Sequence, residues 1–492
     1  MAISRRNLLA AAGLGMAGAV VGVARVNSEP ETPVPQTDWN ALRTRLTGEL
    51  FTSADSGYGS AKLAFNPLFD TRQPAAIARC ADLRDVQACV ELAARTRIPV
   101  AARGGGHSYA GYSTPDQGLI IDMSAVNTVA LHSAETAVIG AGARLIDVYA
   151  GLAEAGRCLP AGSCPTVGIA GLTLGGGLGV LTGKYGLTCD TLVSAQIVTA
   201  DGTARTASAD SEPDLYWALR GGGGGNFGVV TAFTFRTTAM PNLTVCKLQF
   251  PAGAVTEVLG GWQTFLAEAP DEFWSTLGIS AGSPPSCRIN GCFVGGESDL
   301  NPVLDKLIAA TGTRPSSRVT AAMGYLQAML YFGGCTNIPV RQCRPNWNAD
   351  GGVLGRDSFT ASARVLRSPL AEPARLTDLL TGRDGVDVLL DSLRGAVTRI
   401  GVTDTAFPYR DALATAQIYA GATTPEARRT VTEIRDGLGA LVGNTGYVNY
   451  IDPDLADWAS AYYGVNADRL RGVARRYDPD GVFAFDQSAA RI

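Results

Sequence analysis

An α+β or α/β chain wrapped around a long ligand is what three features of the sequence predict. Amphipathic helical stretches alternate with short apolar, strand-like runs through roughly the first half. Glycine is abundant, at 59 of 492 residues and without any repeat, and it gathers in three loops. Beyond those loops the texture changes: helical faces alternate with short strands and few motifs appear. The length suits about three domain-sized units with a large core. A net charge of −4 and only 17% charged residues offer nothing to attract nucleic acid or an anionic membrane surface.

Residues 1–26 are expected to be an export signal. Ser4-Arg5-Arg6-Asn7-Leu8-Leu9 is a twin-arginine pattern, and the Ala/Gly-rich run to Ala24 is too short and too weakly apolar for a stable membrane anchor. This predicts a secreted protein that passes through the twin-arginine export machinery, a route used by proteins that acquire a cofactor before export. Residues 27–45 form a polar, Pro-containing leader. Asp82 is placed to cap a helix whose Val86, Cys89, Val90 and Ala93 share one face. The apolar run 98–102 has strand character and stops at Arg103-Gly104-Gly105-Gly106-His107-Ser108. Three consecutive glycines let backbone N–H groups converge into an anion-binding nest, to which Arg103 adds charge and at whose rim His107 stands. A tight turn with a structural histidine is the alternative for such a run taken alone. Leu119–Asp122 and Thr136–Gly140 read as strands, and Ile146, Tyr149, Leu152 and Ala153 mark the next helix.

The second glycine-rich loop carries Gly162-Ser163-Cys164-Pro165-Thr166-Val167-Gly168, then Gly171, Gly175 and Gly177, then Lys184-Tyr185-Gly186-Leu187. The third, Gly221 to Gly228, formally contains G-x-G-x-x-G at Gly223, Gly225 and Gly228. A helix-like segment precedes it and a strand, Val229–Arg236, follows, which is the reverse of the dinucleotide-binding order. Ten cysteines show no C-x-x-C spacing and only two histidines are present, so no metal site is expected. Export permits disulfides; Cys335/Cys343 and Cys287/Cys292 are close in sequence, but spacing does not assign them. In the middle of the chain, Val255, Trp262 and Leu266, and Tyr325, Met329 and Leu330, mark helical faces, while 386–390 is a short apolar strand.

Arg103-Gly104-Gly105-Gly106-His107-Ser108, Cys164-Pro165-Thr166-Val167-Gly168, Lys184-Tyr185-Gly186-Leu187 and Gly224-Gly225-Asn226-Phe227-Gly228 resemble the FAD domain of berberine bridge enzyme-like oxidases, of the vanillyl-alcohol oxidase/para-cresol methylhydroxylase superfamily. Tyr447-Val448-Asn449-Tyr450-Ile451-Asp452, Tyr463-Gly464, Tyr477-Asp478-Pro479 and Gln487-Ser488 resemble that family's terminal segment. The resemblance implies an α+β fold: a two-part FAD-binding domain over 40–240, completed by 441–492, plus a substrate domain over 241–440 with an antiparallel sheet covered by helices. It implies FAD attached covalently through His107 and Cys164. The remaining cofactor contacts it implies are Arg103, Gly104, Gly105, Gly106, Ser108, Gly162, Ser163, Thr166, Val167, Gly168, Gly171, Gly175, Gly177, Gly186, Asn226, Gly228, Val230, Tyr447 and Asn449. Val167 would stand near the flavin carbon that meets dioxygen. Two departures concern substrate: Tyr409 replaces the histidine of F-P-H-R, and Leu172 stands where bacterial relatives often have histidine.

The resemblance makes Tyr450 the leading base, acting as a tyrosinate helped by its surroundings, since a free phenol ionises near pH 10. Asp391 and Gln417 are implied to orient the substrate or Tyr450. If residues 447–450 are extended, the period of two sets Val448 and Tyr450 on one face and Tyr447 and Asn449 on the other. The expected activity is an oxidase that takes a hydride from an alcohol, hemiacetal or activated C–H of a sugar or secondary metabolite and gives hydrogen peroxide. A dehydrogenase with another acceptor and a non-catalytic flavin-bearing binding or redox protein are the alternatives.

Overall fold

Asp82 starts the first long helix as expected, its carboxylate accepting the N–H groups of Arg84 and Asp85. The helix, Leu83–Thr96, buries Val86, Cys89, Val90 and Ala93 and ends where Arg97 turns left-handed at φ 54°. This is a computed structural model that describes residues 37–347 and 351–492; the proposed export signal lies outside the described residues. The helix crosses from the Ala76–Arg79 strand to Val100–Arg103, and both run parallel to Leu119–Asp122 between them. Glu49–Phe51 closes the other edge of this four-stranded sheet in antiparallel register. The glycine nest therefore leaves the carboxyl end of a parallel strand, where open α/β sheets place their ligands.

A second sheet of five antiparallel strands, in the order Val129–Leu131, Thr136–Gly140, Val229–Arg236, Leu192–Val198, Ala204–Ser208, completes this half. The two sheets share one core, in which Ile121, Ile139, Val148 and Phe233 are buried together. The third glycine-rich loop joins the Pro213–Ala218 helix to the Val229–Arg236 strand, the order read from the sequence.

Seven antiparallel strands form the third sheet, in the order Ser317–Gly324, Asn242–Gln249, Ser286–Val294, Phe273–Ser280, Val386–Ser392, Ala414–Ala420, Thr360–Leu366. Their alternation gives the sheet two different faces. Val388, Leu390, Ala416 and Ile418 point into a separate core formed with the helices Val255–Leu266, Glu297–Thr311, Pro373–Leu380 and Pro425–Val442. Leu389, Asp391, Gln417 and Tyr419, on the odd positions of neighbouring strands, take the opposite face. The chain then returns to the first half, where the Tyr463 hydroxyl donates to the Gly222 carbonyl and the Ala489 N–H donates to Asn226.

One local expectation is corrected, and one pairing left open by the sequence is resolved. Val448–Tyr450 is a 3-10 turn, not a strand. The turn brings Tyr450 back beside Tyr447, their rings perpendicular at 5.0 Å, so the period of two does not apply. Of the two cysteine pairs, Cys335 and Cys343 are bonded, whereas Cys287 and Cys292 are free, being five apart on one strand and so on opposite faces. No helix among the described residues is long and apolar enough to cross a membrane.

Candidate active site

The sheet face that carries Gln417 and Tyr419 looks onto the three glycine-rich loops, and a cavity of about 410 Å³ lies between them. Gly104, Gly105 and Gly106 line one wall, and Gly106 has the left-handed φ of 72° that a nest needs. A Cβ on Gly105 would sit 2.3 Å from the Gly168 nitrogen, so the first two loops pack backbone against backbone. On the cavity side, Gly171 has nothing within 4 Å of a Cβ position and Gly224 has only Gly171, at 3.8 Å. This open cradle, together with the buried and unpartnered Ser113 hydroxyl on the wall, fits a long polar ligand with a flat ring system.

Arg103 does not line this cavity; it lines a smaller one on the other side of Gly104, Gly105 and Gly106. Its guanidinium is buried and pairs with Asp122 at 2.5 Å, and it also donates to the carbonyls of Ala61 and Lys62. That pairing overcomes the burial which would otherwise raise the Asp122 carboxyl, and holds it below the usual range. The expected charge beside the nest is thus neutralised within the scaffold.

His107 and Cys164 arrive from different loops and meet at one hydroxyl. Thr166 Oγ1 lies 2.9 Å from His107 Nε2 and 3.5 Å from Cys164 Sγ. Phe65 stacks on the imidazole, with centroids 4.1 Å apart and planes 17° apart. Burial, reinforced by the Arg144 charge, lowers the imidazole pKa to about 3, so the ring is neutral and nucleophilic at any working pH.

Tyr450 stands on the cavity wall, stacked on Tyr109 with centroids 5.5 Å apart. Its hydroxyl faces the Asp391 carboxylate. Burial and that negative charge together push the phenol well above 10, contrary to the expected tyrosinate. The Asp391 carboxyl is raised as well, to about 6, by burial, with hydrogen bonds from Thr276 and Tyr450 partly offsetting the rise. Gln417 lies behind the wall and donates to the Tyr109 hydroxyl at 2.5 Å. It reaches Tyr450 only through Tyr109.

The remaining candidates divide into two sets. Ser108, Val167, Gly168, Gly171, Asn226, Gly228, Val230 and Asn449 line the cavity with the nest. Gly162, Ser163, Gly175, Gly177, Gly186 and Tyr447 do not. Gly177 donates to the Tyr447 hydroxyl at 3.0 Å, and Tyr447 accepts from Asn449 at 2.9 Å. A Cβ on Gly175 would fall 2.1 Å from Asn449 Oδ1, so this glycine makes room for Asn449. These residues hold Asn449, whose amide also donates to the Leu172 carbonyl, at the cavity edge. Ser163 is exposed, and Gly186 ends a short helix with φ 86°. Tyr409, the replacement for histidine, lies away from the cavity and ties Ala461 to Gly446.

Phe65, Tyr109, Asp357, Phe359 and Tyr419 line the cavity and were not singled out from the sequence. Tyr109 sits two residues after His107, and that placement beside the nest is the signal that could have found it. Tyr419 follows Gln417 by the strand period of two. Asp357, which accepts from the Tyr419 hydroxyl, comes from an irregular loop with no pattern to mark it.

A family model described as "FAD binding domain" matches residues 74–208, and one described as "Berberine and berberine like" matches residues 446–489. The uncharacterized FAD-linked oxidoreductase YgaK of Bacillus subtilis is 32% identical over 458 residues, covering 91% of this chain and 97% of that protein. The chitooligosaccharide oxidase of Gibberella zeae is 30% identical over 444 residues, covering 85% and 87%. Among solved structures, Physcomitrella patens BBE-like 1 superimposes with a TM-score of 0.84 at 28% identity, covering 92% of this chain and 98% of that one.

Proposed function

Because this chain belongs to the berberine bridge enzyme-like family of FAD-linked oxidoreductases, we propose that it is a secreted oxidase. Its FAD would be bonded to both His107 and Cys164, and its substrate would be a CH–OH carbon of a sugar or secondary metabolite. The observation that carries this reading is the opposition of two groups across one cavity. The neutral His107 with Cys164 stands on the loop side, and the Tyr450–Asp391 pair stands on the sheet side. Bound FAD supplies a ring system that accepts a hydride and can then give its electrons to dioxygen.

The residues of the chain handle the proton. As the C–H bond breaks, the adjoining hydroxyl becomes acidic and needs an acceptor within hydrogen-bond reach. Tyr450 is held protonated, so it acts as a relay. Its oxygen takes the substrate proton while its own proton passes to Asp391. With a carboxyl near 6, Asp391 is ionised at neutral pH and still basic enough to accept. Tyr109 stacks against Tyr450 and fixes the plane of the phenol.

Dioxygen is favoured over another acceptor because valine, not a bulkier residue, stands at position 167 on the cavity wall. Val167→Leu should slow reoxidation and leave reduction nearly unchanged, since one methylene fills a gap in a packed wall. Export is supported by the Arg5-Arg6 pair; a double lysine substitution should retain the protein inside the cell. The central test is anaerobic mixing of the purified protein with oligosaccharides, simple alcohols and phenolic alcohols. Bleaching of the yellow colour by one class, followed by stoichiometric peroxide on admitting air, is expected. Absence of bleaching by every CH–OH donor would overturn the reading.

A further inference from the structure

We infer that Thr166 is the positioning residue for both flavin attachments, acting through its hydroxyl on His107 and Cys164 at once. The inference rests on the doubly bonded FAD proposed above. Two nucleophiles two residues and fifty-nine residues from Thr166 both converge on Oγ1 of this residue, which is only 2% exposed. A hydroxyl has one proton to give and lone pairs to receive, so it serves both neighbours in one of two senses. With the imidazole neutral, one ring nitrogen carries the proton. Nε2–H donating to Thr166 leaves Nδ1 bare, while the Thr166 O–H turns to the Cys164 sulfur and orients it.

The rest of the surroundings favour this arrangement. Phe65 covers one face of the imidazole and fixes the plane of the ring, and within that plane the contact to Thr166 sets which nitrogen faces the hydroxyl. Arg144 discourages a second proton on it. The reverse sense, in which Thr166 donates to Nε2, would put the proton on Nδ1 and remove the free lone pair from the nitrogen that Thr166 does not touch.

The chemistry balances for each bond. The lone pair of Nδ1 or of the sulfur forms a bond to a flavin carbon. One proton leaves that carbon and one leaves the attacking residue, from Nε2 or from the thiol. The ring system keeps two electrons, and dioxygen takes them with the two protons to give hydrogen peroxide. Two attachments therefore consume two dioxygen molecules. Thr166 fixes which ring nitrogen is free to attack in the first bond and directs its O–H to the sulfur for the second, retaining neither leaving proton.

The test compares Thr166→Val, which keeps the shape and loses the hydroxyl, with Thr166→Ser, which keeps the hydroxyl and loses the methyl. Full-length proteins are purified, and peptide mass spectrometry gives the fraction of His107 and Cys164 carrying FAD. Thr166→Val should lower the doubly attached fraction at least tenfold while noncovalent flavin stays bound, and Thr166→Ser should restore it. Thr166→Ala serves in place of the valine variant if that protein does not fold, with the same expectation. Wild-type levels of double attachment without the hydroxyl would overturn the role of Thr166 alone. So would a serine variant as poor as valine, because the methyl would then be what matters. A wild-type protein that releases all its FAD on acid precipitation would overturn the doubly bonded flavin itself, and this inference with it.

Discussion

The two sides of the cavity are built in opposite ways. On the loop side, Gly104 to Ser108 and Cys164 to Gly168 are two short runs, and the groups that matter lie within a few residues of one another along each run. On the sheet side, Asp391, Gln417 and Tyr450 come from two strands and a 3-10 turn, and Tyr109 comes from the loop side to meet them. The loop side places nucleophiles where backbone already approaches closely, so glycine decides it. The sheet side sets a carboxylate on a strand against a phenol on a turn, which the proposed function reads as a proton path. Its burial raises both partners, the phenol out of use as a free base and the carboxyl into the working range. Attachment and proton transfer are thus separable, and substitutions on one side should leave the other intact.

The largest effect tests that separation directly. Tyr450→Phe removes the relay hydroxyl and should slow anaerobic flavin reduction on the order of a hundredfold to ten-thousandfold. Flavin content and attachment should match wild type. Reduction within a few-fold of wild type in stopped-flow would move the proton path away from Tyr450.

Next in size is Arg103→Ala, which asks whether this arginine belongs to the scaffold or to the ligand. Removing it leaves Asp122 buried without its cation, a loss on the order of 3–5 kcal/mol. Thermal unfolding should fall markedly, whereas the flavin bound per folded molecule should not. Lost flavin with an unchanged melting temperature would restore Arg103 to the cofactor.

Asp391→Asn should slow reduction by about a hundredfold, at the lower end for general-base loss. In the wild type the reduction rate should rise with pH up to about 6 and level off above it, as Asp391 ionises. The asparagine variant should lack that rise. The same group gives a check on stability. Its folded-state pKa is raised, so Asp391 contributes less to folding as pH climbs from its unfolded value through about 6. The variant should accordingly melt higher than wild type at pH 7 and no higher at pH 4. An unchanged pH profile would show that Asp391 is not the proton's destination.

Gln417→Ala should have the smallest effect. It deletes one hydrogen bond to Tyr109, a contribution of about 1 kcal/mol, and so should slow reduction about fivefold through Tyr450. A loss as large as that of Tyr450→Phe would mean that Gln417 meets the substrate itself.

By itself the sequence determined the loop side and the alternation of elements. Three glycines after a strand leave the backbone no side chains to keep a ligand away, and Asp82 or the Val86-to-Ala93 face needs only near neighbours to act. Cys164 and Thr166, two residues apart, share the same local origin. Only the tertiary structure decided the rest. Arg103 is tied into the scaffold because Asp122, nineteen residues on, lies across a parallel strand pair and is buried with it. Residues 447–450 became a turn because the Tyr447 hydroxyl is held by Gly177, 270 residues earlier in the chain. Tyr450 and Asp391 acquired their shifted ionisation only in the folded interior, since burial raises the carboxyl to about 6, and burial with the Asp391 charge keeps the phenol protonated.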